Sequence, residues 1–113
     1  MVARVPDRSM RPILEQAISK VFMVAGPDLW SDTRGRPRVA LARQVAMYLA
    51  HVGGGLTMTE VGQLFARDRT TVAHACSVVE DLRDDPSFDR SLELLEGVLR
   101  LLSPAASLAI PLA

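Results

Sequence analysis

Apolar residues recur at intervals of three and four along most of the chain. Between Met10 and Ala25, the residues Leu14, Ala17, Ile18, Val21, Phe22 and Ala25 fall on one side of a helix. Gly26 and Pro27 stop it, and the stretch 33–38, with Gly35 and Pro37, reads as a loop carrying Arg34, Arg36 and Arg38. A second stripe, Val39, Ala42, Val45, Ala46, Leu49 and Ala50, predicts a helix from about Arg38 to Val52, closed by Gly53, Gly54 and Gly55. Thr57 then stands three residues before Glu60. That spacing predicts a capping box, in which each side chain satisfies a free backbone amide of the other, and a short helix from Met58 to about Phe65. Asp68 is the cap of a fourth helix, roughly Arg69 to Arg83, with Val72, Ala75, Cys76, Val79 and Leu82 inward. Asp84, Asp85 and Pro86 end it. A fifth helix starts at Pro86 or Ser87 and carries Leu92, Leu95, Val98, Leu99 and Leu102.

No stretch alternates with the period of two that a strand requires, so the expected fold is all-α, a compact bundle of about five helices. At 113 residues and 49% hydrophobic content the chain suffices for one core. Residues 1–9 are expected to form a loose, flexible tail, 10–103 the domain, and 104–113 an apolar tail of no clear period.

Charge changes this picture less by its total than by its distribution. Thirteen basic and thirteen acidic residues cancel. From Thr33 to Val78, however, six arginines face two acids, whereas from Val79 onward three arginines face seven acids. The chain is electrically polarised along its length, and twelve of its thirteen cations are arginine, suited to forked recognition of phosphate or guanine as well as to a GC-rich coding bias. The single Cys76 cannot form an internal disulfide and is expected as a small buried hydrophobe in a reducing, cytoplasmic setting. No apolar run is long enough for a membrane span. His51 and His74 lack the thiol and carboxylate company of a metal site, and Trp30 is expected to anchor its loop. No nucleophile, base and orienting group occur together, so neither an enzyme nor a cofactor or metal is expected.

The densest polar cluster, "FARDRTTVAHAC" at 65–76, sits where the fourth helix begins. A short helix, a turn of about three residues and a longer helix outline a helix-turn-helix, whose second helix offers its first turn to the major groove of double-stranded DNA. Arg69, Thr70 and Thr71 would project where unpaired amides and the helix dipole favour phosphate. Arg69 is suited to donate twice to guanine, the threonine methyls to touch thymine, and Asp68 to hold the turn with a second role toward cytosine. His74, one turn along, is placed to approach a phosphate.

With "ARQVAMYLA" at 42–50, "TMTEVGQLFARDRTTVAHAC" at 57–76 and the following "VVEDL", the chain resembles the C-terminal DNA-binding domain of the bacterial replication initiator DnaA over roughly Ile18 to Leu102. The resemblance implies a helix-turn-helix in the major groove and a loop arginine in the minor groove. It assigns Arg43 and Gln44 to the DNA backbone, Thr57 to the hydroxyl that opens the short helix, and Arg67, Asp68, Thr70 and Thr71 to base and phosphate contacts. Departures are specific. Arg69 stands where the family usually has histidine, so the preferred site should differ from the standard initiator box. Ala66 alone replaces two glycines. A gapless match puts Gly35 at the minor-groove arginine, an insertion puts Arg34 there, and Arg36 is the other candidate. Ser77 and Val78 replace basic residues.

No Gly-x-x-x-x-Gly-Lys-Ser/Thr loop occurs, so nucleotide chemistry is not expected of this chain. The expected function is that of a stand-alone small protein binding DNA sequence-specifically, regulating replication initiation or transcription at initiator-like boxes. The alternative is a protein-interaction module, using the C-terminal helix or tail, whose DNA surface has decayed.

Overall fold

A computed structural model of the protein describes residues 7–31 and 35–102. Five α-helices follow one another: α1 (Asp7–Phe22), α2 (Pro37–Val52), α3 (Met58–Phe65), α4 (Arg69–Leu82) and α5 (Pro86–Leu102), with a 3-10 turn, Gly26–Trp30, between the first two. Among the described residues there is no strand. The all-α bundle read from periodicity is the observed one. Helix α1 starts at Asp7 rather than Met10 and ends at Phe22 rather than Ala25, and Gly26–Trp30, expected only as the break after it, is a 3-10 turn. The expected tail at 104–113 lies outside the described residues.

Local chemistry fixes the boundaries of the later helices. The Thr57 hydroxyl accepts from the Glu60 amide at 3.1 Å while the Glu60 carboxylate accepts from the Thr57 amide at 2.8 Å, completing the capping box. Pro37 opens α2 at a position that needs no amide donor. Its far end is closed by the Gly53 and Gly54 amides, which both donate to the Leu49 carbonyl, and by His51, whose Nδ1 lies 2.7 Å from the Leu56 carbonyl oxygen.

Helix α2 is buried over most of its length and forms the centre against which α1 and α4 pack. Leu14 and Ile18 of α1, Val45 and Leu49 of α2, Val61 and Phe65 of α3, Val72 and Val79 of α4, and Leu92 and Leu99 of α5 meet in one core. Cys76 lies in it, and burial raises the thiol pKa, keeping it protonated and inert. Trp30 does anchor its turn: its ring stacks on Phe65 at 4.8 Å, its indole nitrogen donates to Glu15 at 2.8 Å, and the Arg11 guanidinium lies 4.3 Å from the ring centre.

Arg83, just past α4, joins three elements. Its guanidinium donates to Asp89 and, at 3.0 Å, to Glu96 of α5, and at 2.9 Å to the Tyr48 hydroxyl of α2. These partners, the Asp89 bond first, raise the arginine pKa further, so the group stays charged under all folding conditions. Replacing it would leave the Glu96 carboxylate and the Tyr48 hydroxyl without their donor. We expect Arg83→Met to lower stability by about 1–3 kcal/mol, below the cost for a fully buried pair because Asp89 is partly solvated. Urea unfolding with an unchanged m-value would measure it.

Candidate nucleic-acid interface

Helices α3 and α4 are separated by three residues, Ala66, Arg67 and Asp68. The turn is a Schellman motif. The Arg67 amide donates to the Gly62 carbonyl at 2.8 Å and the Ala66 amide to the Gln63 carbonyl at 3.4 Å, while Ala66 adopts the left-handed conformation with φ 55°. Such a position favours glycine, because a Cβ there crowds the following carbonyl. The Ala66 substitution noted in the sequence therefore leaves the turn formed but strained. We expect Ala66→Gly to stabilise by about 0.5–1 kcal/mol and raise the melting temperature by a few degrees.

At the other side of the turn, the Asp68 carboxylate accepts from the Thr71 amide at 2.8 Å and caps α4. The cap bond, together with a bond from the Thr71 side chain, holds the carboxyl below its ordinary value of 3.8. A depressed folded pKa contributes stability above the unfolded value and loses it as pH falls through the folded one. Wild-type stability should thus decline more steeply than that of Asp68→Asn as pH falls below the ordinary aspartate value, and the two should run parallel near neutrality. Chemical-denaturation midpoints across that range test it.

The capped turn presents a polar surface. Arg69, Thr70, Thr71 and His74 are exposed along the first two turns of α4, while Val72, Ala75 and Cys76 on the opposite side are buried. Thr57 is exposed at the start of α3, and Arg36 is exposed at the N-cap of α2. Ser77 is exposed and Val78 half-buried farther along α4, followed by the exposed acids Glu80 and Asp81. The charge split in the sequence thus becomes a split between the two ends of α4.

Three expected contact residues have other surroundings. Arg43 is buried, 6% exposed. Its Nε donates to the Leu29 carbonyl at 3.2 Å and its Nη2 to the Asp28 carbonyl at 2.7 Å, so the guanidinium expected on the DNA backbone braces the 3-10 turn. Burial first, and then the nearby Arg67 charge, lower its pKa. Arg67, half-buried, donates through Nη1 to the Phe65 carbonyl at 2.9 Å and through Nη2 to the Ser31 carbonyl at 2.8 Å. Gln44 is half-buried. Arg34 lies outside the described residues.

Arg36 shares a cleft of about 150 Å³ with Asp28, Ser31, Gly35, Val39 and Arg43. Through Ser31 and Arg67, this neighbourhood adjoins the turn before α4. The structural roles of Arg43 and Arg67 carried no sequence signal, since their partners are backbone carbonyls, those of Asp28, Leu29 and Ser31 many residues away.

Among the described residues no group of three or more His, Cys, Asp or Glu could hold a metal ion, and no helix is long and apolar enough to cross a membrane. A capped helix-turn-helix with an exposed polar first turn is the distinguishing feature. Comparison with known proteins agrees with it. The family model of the bacterial dnaA protein helix-turn-helix matches residues 13–79. The chromosomal replication initiator protein DnaA of Lachnoclostridium phytofermentans is 35% identical over 95 residues, covering 80% of this chain and 21% of that protein. Its counterpart in Bartonella quintana is 40% identical over 88 residues, 76% of this chain and 18% of that protein. The crystal structure of a DNA replication initiation factor superposes with a TM-score of 0.70 and 30% identity, covering 85% of this chain and 31% of the other. The chain thus spans about a fifth of the length of the curated relatives it matches. By the match of its helix-turn-helix and the helices that support it, this chain belongs to the bacterial DnaA helix-turn-helix family.

Proposed function

We propose that the chain binds double-stranded DNA sequence-specifically, with the first turn of α4 in the major groove. The observation that carries this reading is the cluster of exposed Arg69, Thr70 and Thr71 on a helix start held by the Asp68 cap. Arg69 would read a guanine edge, and the free amides and dipole of the first turn would favour an adjacent phosphate. His74 and Thr57 would lie toward the DNA backbone. Arg36, or Arg34 beside it in sequence, would enter the minor groove. Arg43 and Arg67 take a supporting part, because each guanidinium already donates through two nitrogens to carbonyls of the fold. Arg69 in place of the family's usual histidine supports a preferred sequence different from the standard initiator box.

The family membership supports a place in the control of replication initiation or of transcription, at sites related to those of DnaA. The corresponding compartment is the cytoplasm, and no nucleotide or cofactor is part of the reading.

One observation favours a second reading, a protein-interaction module. Leu94, Val98, Leu101 and Leu102 are exposed on α5, away from its core face.

In vitro selection from a random duplex library at near-physiological salt separates the two. Enrichment of a motif spanning about one helical turn, roughly 10 base pairs, supports DNA reading. A folded protein that enriches nothing supports the interaction module.

A further inference from the structure

Two guanidinium groups hold three carbonyls of the segment that leads into the basic loop. Arg43 takes those of Asp28 and Leu29, and Arg67 takes that of Ser31. Arg67 is the more informative. Its planar fork spans two places far apart in sequence: Nη1 meets the Phe65 carbonyl at 2.9 Å, with a longer approach to Ala66 at 3.5 Å, while Nη2 meets Ser31 at 2.8 Å. One end of that bridge is the turn immediately before the Asp68 cap of α4. The other end is the residue after which the chain runs to Gly35 and Arg36. Stacking of Trp30 on Phe65 runs alongside, so the base of the loop and the end of α3 are fastened twice. Arg36 and Ser31 line the same cleft as Arg43.

Arg67 and Arg43 are close enough for the charge of one to disfavour the charge of the other. Bringing two like charges together costs free energy that the carbonyl oxygens offset, which argues against a casual surface arrangement. Lysine could not replace Arg67 in this role. An ammonium donates from a single nitrogen, whereas the bridge reaches its two carbonyls from separate nitrogens, Nη1 and Nη2, of one planar group.

We propose that Arg67 is a positioning residue, which sets the separation between the groove-facing first turn of α4 and the loop that carries Arg36. The inference rests on the DNA-binding reading above. Under it, one side chain fixes the register between major-groove and minor-groove contacts, and Arg67 itself supplies no essential phosphate contact. Loss of the bridge would leave α4 able to read its bases but would misplace Arg36.

The test is a double-mutant cycle on the full chain, with Arg67→Lys, Arg36→Ala and their combination, against the duplex selected with the wild type. Arg67→Lys keeps the charge, so a simple phosphate contact would survive it. The positioning role predicts a loss of about tenfold for Arg67→Lys. It further predicts that preference is lost at the minor-groove end of the site while the bases read by α4 stay selected, and that Arg36→Ala costs much less once Arg67 is lysine. Binding by Arg67→Lys within twofold to threefold of wild type, or strict additivity with Arg36→Ala, would overturn the proposal while leaving DNA binding intact. A wild-type protein that binds no duplex would bring down both readings. Should Arg67→Lys fail to fold, guanidinium NMR of the wild type decides. Arg67 Nη signals that remain restrained and unshifted when DNA is added support positioning, and signals that move to a new hydrogen-bonding environment overturn it.

Discussion

Gly62→Ala is expected to destabilise the fold by about 2–3 kcal/mol, although alanine is the better helix former by about 1 kcal/mol. A Cβ at position 62 would stand 2.5 Å from the carbonyl oxygen of Arg67. That atom is backbone and cannot rotate away. Its own residue is tied back to Gly62, through the Arg67 amide bond to the Gly62 carbonyl at 2.8 Å. Relief requires the chain after α3 to move outward, which would break the Schellman bonds and displace the Asp68 cap. Thermal unfolding should register a fall on the order of 10–20 °C. DNA affinity at a temperature where the variant is still folded should fall as well, because α4 would start from a displaced turn. A variant as stable as the wild type would show that the turn has room that its geometry denies.

The same turn shows what the sequence could and could not disclose. Thr57 with Glu60, and Asp68 ahead of a helical stripe, are local signals. A cap needs only a side-chain oxygen within a few residues of its amide, and both caps lie where the sequence places them. Core faces were legible in their central turns for a related reason, since burial imposes a period on each helix that does not depend on its partner. Val21, Leu82, Val98 and Leu102, expected on those faces, are instead exposed, because each lies near a helix end or at the edge of its stripe.

Gly62 carried no such signal. Inside a short helix it looks like a weak residue, and only the return of the chain at Arg67 explains it. Arg43 and Arg67 carry a duty with no local signal: the family resemblance assigns both to DNA, and in the fold both also donate to carbonyls 14 to 36 residues away. Backbone acceptors are identical at every residue, so no residue type could advertise them. The 3-10 turn at Gly26–Trp30 was hidden for a similar reason: five residues opening on Gly-Pro carry punctuation but too few positions for a period.

Arg69→Ala is expected to lower affinity for the selected duplex by about 1–3 kcal/mol, roughly 5- to 150-fold, and to erase preference at one base position. Arg69 is the first residue of α4, directly after the Asp68 cap, and is exposed. Unlike Arg67 and Arg43, it is therefore free of a structural duty that would confuse the result, and Arg69→Ala should leave the melting temperature nearly unchanged. Two components separate in the binding data. Loss of one cation weakens every duplex alike and reduces the salt slope by about 1 if the group also neutralises a phosphate. Loss of a forked donor to guanine removes discrimination at one position and nothing elsewhere. Arg69→His sharpens the comparison, because it restores the residue usual in the family and retains a donor while removing the fork. Selection with that variant should move the preferred base at the same position at which Arg69→Ala becomes indifferent. If both variants instead enrich the wild-type motif unchanged, the first turn of α4 reads its site through Thr70, Thr71 or Asp68, and the arginine contributes charge alone.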